Sequence, residues 1–237
     1  MLSAWRRSLA VGSLAGACAL ALARPAHADT GMSLGLGFAF AGAVPDGPRK
    51  PQLGAPWYLR LEAAGASRVD DTPAEGDRPS RAHFSVHDAL FLEGDLGALC
   101  GKSGCASLGD VALRGVGGYE LLLGLRAPAA SVYVGPRITW EGWLTNKYAL
   151  GAVSWPVVLR VEQAVARTRR RILSAWASPH GLFRSYGGAW DEPLADAFWA
   201  SLSVGATRAM LSSGRDGGAE GALGVTVTLG VRVGSAL

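Results

Sequence analysis

In the stretch GALGVTVTLGVRVGSAL, every second position from Leu223 to Val233 is a large aliphatic. The positions between hold Gly224, Thr226, Thr228, Gly230 and Arg232. A period of two is the mark of a β-strand with one apolar face. The pattern recurs in MSLGLGFAFA from Met32, WYLRLEAAG from Trp57, YELLLGLR from Tyr119, VYVGPRITWEG from Val132, VSWPVVLRVE from Val153 and FWASLSVGAT from Phe198. Short or Gly- and Pro-bearing links separate the segments, such as APAA at 127–130 and SSGRDGGAEG at 212–221. About eight segments are strong, and weaker ones near 106–115 and 183–190 bring the total to about ten. No compositional break divides the chain, so residues 29–237 read as a single β domain.

Two stretches read less simply. VVLRVEQAVARTRRRILSAWAS at 157–178 alternates at its start, yet Val157, Val161, Val165, Thr168, Ile172 and Trp176 would also share one helix face. We expect two strands joined by a turn near Ala164–Thr168, because Trp155-Pro156 reads as extended and the neighbours are strands. WDEPLADA at 190–197 reads as a helical turn within a loop. Pro136 and Pro156 fall inside strand segments, and each should cost a ladder hydrogen bond.

The minority face separates two architectures. A soluble sandwich or barrel buries its apolar faces and shows water a face rich in Lys, Glu, Asn, Gln and Thr, whereas a membrane barrel turns its apolar faces to lipid. Here the second face is mostly Gly, Ala, Ser and Thr with charges of both signs. Arg60 with Glu62, and Arg160 with Glu162, stand two residues apart and project to one side of their strands. Arg137 and Glu141 also share a side, and Glu120, Arg126 and Arg232 complete the set of expected lumen charges. Buried charges persist when paired and hydrogen-bonded. The prediction is an all-β fold: an antiparallel up-and-down β-barrel of about 8–10 strands that crosses a membrane. Trp57, Tyr119, Trp140, Trp143, Tyr148, Trp176 and Trp190 lie near segment ends, where interfacial girdles would place them.

Export fits this reading. Residues 1–28 carry Arg6 and Arg7, an apolar run from Leu9 to Leu22 and the A-x-A site Ala26-His27-Ala28. They read as a signal peptide. Cys18 raises a weaker lipoprotein reading. Cleavage leaves 209 residues with a net charge of +1. That is no excess with which to neutralise phosphates, so nucleic-acid binding is rejected. No second apolar run is long enough for a membrane helix. Cys100 and Cys105 in CGKSGC read as a disulfide in an oxidising compartment, with two free thiols as the alternative. No motif calls for a metal or a cofactor.

With these features the chain resembles the small bacterial outer-membrane β-barrel proteins over most of residues 31–235. The resemblance implies the cell outer membrane as the location, membrane lipid as the surroundings and the outer-membrane assembly machinery as a partner. A structural or adhesive protein or a narrow pore would follow, its lumen filled by small residues and Arg–Glu pairs. The alternative is a soluble periplasmic or secreted β-barrel that binds an apolar small molecule inside.

One cluster could carry chemistry. His83, Ser85 and His87 of HFSVHD share a strand face, with Asp88 following. Serine beside histidine can make a nucleophile and its base. The His83-x-Ser85 spacing is similar to that of the outer-membrane lipid A deacylases, which gives a third reading as a lipid-modifying hydrolase. The plainer reading is a polar lumen patch. Arg167, Arg169, Arg170 and Arg171 form a basic run, either a solvated turn or a contact for anionic headgroups.

Overall fold

A computed structural model describes residues 29–45, 52–54, 57–68, 82–95, 113–144, 149–166, 169–178, 184–212 and 221–234. The expected signal peptide, Cys100, Cys105, Tyr148, Arg167 and the side chain of Trp143 lie outside the described residues. The strands are β1 (Asp29–Pro45), β2 (Gln52–Gly54), β3 (Trp57–Arg68), β4 (His83–Asp95), β5 (Leu113–Arg126), β6 (Ala130–Leu144), β7 (Ala149–Ser154), β8 (Val157–Ala164), β9 (Arg170–Ala177), β10 (Ser185–Ala195), β11 (Phe198–Ser212) and β12 (Gly221–Gly234).

All pairings are antiparallel, and β12 returns to pair with β1, so the sheet closes. β7 and β8 act as one strand along β6. Thr139 opposes Ser154 and Pro136 opposes Val157 in a single uninterrupted register. The barrel wall therefore has ten strands, with β2 a short addition to the edge of β1. The two prolines leave the expected marks. The Arg137 N–H donates to the Pro156 carbonyl at 2.9 Å, and Pro156 has no N–H to return. The β5–β6 pairing lapses between Glu120↔Arg137 and Leu123↔Val134, where Pro136 sits.

Stepping across paired residues once round the wall gives the stagger. The path from Asp29 through Ala66, His87 and Leu122, then Gly135, Val158 and Trp176, then Gly187, Gly205 and Thr226, returns to β1 at Ala41, 12 residues further along. With about 3.3 Å per residue and about 4.8 Å between strands, that stagger tilts ten strands by roughly 40° from the axis. The backbone cylinder is then about 20 Å across, a width that inward side chains can fill.

Alternation along each strand now has a direction. On β12, Thr226, Thr228 and Arg232 are buried, whereas Leu223, Val225, Leu229, Val231 and Val233 are exposed. On β1, Met32, Leu34, Leu36, Phe38 and Phe40 all face outward and are exposed. The large aliphatics lie outside and the polar residues inside, so the expectation of a soluble barrel with an apolar core is overturned. Phe38, Trp57, Trp140, Trp155 and Tyr186 point outward at about one level, toward the rim opposite the chain ends. Trp57 stacks on Phe38 with ring centroids 3.8 Å apart. Trp176 is a correction: it points inward, where it packs against the cluster of Leu122, Tyr133 and Val158.

The ambiguous stretch 157–178 is two strands, with Val165 hydrogen-bonded to Arg169 in the turn between them. The helical turn expected at 190–197 is absent. β10 runs through Trp190 and Glu192 to Ala195, because pairing with β11 from Ser185↔Thr207 to Pro193↔Trp199 holds it extended, and a two-residue turn follows. One feature departs from simple neighbour pairing. The β9–β10 hairpin is short, and beyond it β7 pairs directly with β11, Gly151 opposite Met210.

Candidate functional site

The inward positions of the strands converge on one charged lumen. Among the described residues, six arginines (60, 114, 137, 160, 170 and 232) and six carboxylates (62, 93, 120, 141, 162 and 191) join into two alternating chains. The first starts at Asp191 on β10 and passes through Arg232 (3.2 Å) to Glu62 (3.5 Å). It continues through Arg60 (2.7 Å) and Glu93 (3.4 Å) to Arg114 (2.5 Å), which ends it on Glu141. The second runs from Arg137 to Glu120 (2.6 Å), then to Arg160 (3.8 Å), Glu162 (2.9 Å) and Arg170 (4.0 Å). The first chain has one acid in excess and the second one arginine, so the lumen balances as a whole. Desolvated ions of both signs satisfy one another where lone charges could not remain.

Aromatic rings tie the two chains together. The Phe91 ring lies 4.8 Å from the Arg60 guanidinium and 5.5 Å from that of Arg137. The Trp176 ring also lies against Arg137, at 5.0 Å. Both rings lie over glycines on the adjacent strand: Phe91 opposes Gly118, and Trp176 opposes Gly187. A Cβ on Gly187 would fall 2.3 Å from the Trp176 ring, and one on Gly118 would fall 2.4 Å from Phe91. These lumen glycines are berths for rings. Gly187→Val is accordingly expected to displace Trp176 and lower stability by about 1–3 kcal/mol. Urea unfolding in detergent, followed by tryptophan fluorescence, measures it; an unchanged midpoint would show that the ring has room to move.

A cavity of about 110 Å³ lies between the charged wall (Arg60, Glu93, Glu120, Arg137) and a hydroxyl wall of β10, β11 and β12 that includes Ser201 and Ser203. A second cavity, of about 40 Å³, lies near Arg170 and Trp199. Ser203 and Thr228 share a hydrogen bond at 2.5 Å, as do Thr139 and Ser154. The Arg232 Nε is buried and makes no hydrogen bond, and Trp199 covers its guanidinium at 5.1 Å.

The expected charges are placed as follows. Arg60–Glu62 and Arg160–Glu162 pair along their strands. Arg137 and Glu141 do not pair with each other: Arg137 goes to Glu120 across the β5–β6 ladder, and Glu141 goes to Arg114. Arg126 stands at the end of β5, opposite His83 on β4 and Ser131 on β6. Arg114, Glu93, Asp191 and Arg170 are network members that the sequence reading missed. Ser85 is 2% exposed on the lumen side, and His83 lies at the strand end. His87, on the same face and 1% exposed, has its Nε2 3.6 Å from Glu120 and its ring 5.6 Å from Tyr133. The basic run is dispersed: Arg169 faces Asp196 (3.8 Å), Arg170 turns inward, and Arg171 binds Glu192 (2.6 Å) on the outer face. No metal-binding cluster occurs among the described residues.

No protein-family model matches this chain, and no curated protein matches it. Solved structures do. Ail, the attachment invasion locus protein of Yersinia pestis, is 11% identical over 87% of this chain and 99% of its own, with a TM-score of 0.28. Neisserial surface protein A is 10% identical over 87% and 97%, with a TM-score of 0.33. The outer membrane protease OmpT of Escherichia coli is 8% identical over 86% and 96%, with a TM-score of 0.34. The membrane character of this chain stands on its own wall: apolar side chains out, ions in, and, among the described residues, ten strands paired in a closed cycle.

Proposed function

We propose that this chain is a closed outer-membrane barrel that acts as a scaffold for its loops, a structural or adhesive role, and not as an open pore. The observation that carries the reading is the pair of Arg–carboxylate chains, which link inward side chains from β3, β4, β5, β6, β8, β9, β10 and β12 across the lumen. An ion crossing the barrel would have to part buried pairs, each of which is costly to break. Orientation follows from topology. The first residue of β1 and the last of β12 share one rim with three short connections, β5–β6, β8–β9 and β10–β11, and one longer one, β3–β4; the predominance of short connections, which mark the periplasmic side of such barrels, favours placing this rim there. The connections at 46–56, 96–112 and 213–220 leave from the opposite rim, toward the cell exterior.

Single-channel recording in planar bilayers tests the proposal. The wild-type barrel should pass no steady current at 100 mV, in roughly physiological salt. The variant Arg60→Ala/Glu62→Ala/Glu93→Ala, which takes the middle out of the first chain, should open discrete conductance steps. A steady wild-type current would overturn the closed scaffold in favour of a narrow pore.

A further inference from the structure

One ion pair stands on the outside of the wall. Arg171 on β9 donates its Nε to Glu192 Oε2 at 2.6 Å and its Nη2 to Glu192 Oε1 at 2.9 Å, a two-pronged contact across to β10. Trp190 donates its Nε1 to Glu192 Oε2 at 3.1 Å, and Arg171 Nη1 reaches Gln163 Oε1 on β8 at 3.5 Å. Their chain neighbours Ile172 and Asp191 point inward, so alternation sends the pair outward. Each side chain of the pair is 34% exposed.

The depth of the pair calls for a partner. Glu192 stands six residues from Tyr186 on β10, and with a strand tilt of roughly 40° that places the pair about 15 Å below the aromatic level. The apolar wall continues past it: Leu194 on the same strand is 58% exposed, and Val165, in the turn after β8, is 44% exposed. An outward apolar band is about 25 Å tall, so the pair lies inside the band and not at its edge. At that depth ionisable groups are costly, and as a rule they face protein and not lipid.

The patch is its own complement, because Arg171 and Glu192 sit side by side on adjacent strands. A two-fold axis parallel to the barrel axis, passing between them, sets each Arg171 against Glu192 of the partner subunit. Four charges then alternate in a ring, and the pair within each chain survives. Upward, the same axis runs over Trp190, Leu202 and Val204, which face outward together and carry the contact on as an apolar surface. We propose that this face of β9, β10 and β11 joins two copies of the barrel in the membrane, with Arg171 and Glu192 exchanging charges across the two-fold axis. Such a contact uses the same patch on both subunits and closes at two copies. The proposal goes beyond the scaffold reading and rests on the barrel crossing a membrane. The dimer presents two sets of exterior connections side by side.

The test is energy transfer between donor- and acceptor-labelled copies of the full barrel in phosphatidylcholine vesicles, after a gel has shown that each preparation is heat-modifiable. Wild type should transfer energy at a lipid excess where copies rarely meet by chance, and unlabelled wild type should compete the signal away. Arg171→Glu gathers four acids at the axis and Glu192→Arg four arginines, so each should weaken self-association at least about tenfold. Mixing these two variants should restore transfer, because an acidic copy then faces a basic one. Trp190→Ala, which leaves both charges in place, should also weaken association about tenfold, whereas Leu61→Ala, on the far wall in β3, should not. Folded wild type without transfer overturns the dimer and leaves the patch to lipid or to another membrane protein. Transfer that survives in Arg171→Glu, or that mixing does not restore, overturns this face as the interface. If the charge variants do not fold, equal transfer in Trp190→Ala and Leu61→Ala overturns it instead. A chain that never becomes heat-modifiable overturns the barrel reading, and the dimer with it.

Discussion

Glu120→Ala is expected to destabilise the barrel by about 3–5 kcal/mol, the range for stripping one partner from a buried ionic cluster. Glu120 is 4% exposed and is the hub of the second chain. It accepts two hydrogen bonds from Arg137, at 2.9 and 2.6 Å, and it faces Arg160 at 3.8 Å and His87 at 3.6 Å. Its loss leaves Arg137 held only by the faces of Phe91 and Trp176, which cannot replace a carboxylate. Urea-driven unfolding from detergent micelles gives the number. The companion variant Glu120→Leu/Arg137→Met separates two causes. If unpaired charge is the cost, the double variant should recover most of the loss, since apolar replacement of a whole buried pair is often near neutral. A loss below about 1 kcal/mol for Glu120→Ala would mean that water reaches the lumen and solvates the arginines.

The second large effect lies on the opposite face. Val231→Arg should cost about 2–4 kcal/mol in a lipid bilayer, and Leu223→Arg only about 0–1 kcal/mol. Both residues face outward on β12, but Val231, paired with Leu36, lies below the aromatic level, whereas Leu223 lies about 26 Å further along the strand, toward the rim. A guanidinium at mid-depth must leave water, whereas one near the rim reaches the interface. Folding yield into phosphatidylcholine vesicles, titrated with urea, measures the gradient. Equal costs at the two positions would sink the lipid-facing assignment of β12.

The parts of this fold that could be read from sequence are those that depend on neighbours along the chain. Period two separates inside from outside within a strand, so Arg60 with Glu62 and Arg160 with Glu162 could be paired without knowing the register. The partner of Arg137 could not. It is Glu120 on β5 and not Glu141 four residues away, because the β5–β6 register places Glu120 directly opposite. Register is a property of two strands at once. Arg170 shows the cost of weighing a cluster by its charge. The run suggested solvated residues, and alternation could not correct that, because Ile172 and Trp176 share the face of Arg170 and read as lipid-facing, whereas in the structure this face turns inward. Arg114 and Glu93 were missed because each sits near the end of its strand, where the pattern fades. WDEPLADA carries helix-like composition but pairs on both edges up to Asp191, and tertiary pairing overrides local preference.

The bridge from β7 to β11 has a kinetic consequence. Most ladders in this wall join strands that follow one another in the chain and can form as local hairpins. Gly151 and Met210 meet from about sixty residues apart, and only after the β9–β10 hairpin has taken its place below them. Together with the β1–β12 seam, this is the contact with the highest loop-closure cost, and contacts of that kind form late. Assembly therefore finishes at two separate places on the circumference, the seam and the bridge, and a refolding barrel arrested before the second should keep its hairpins while the rim above β9 and β10 is still undone.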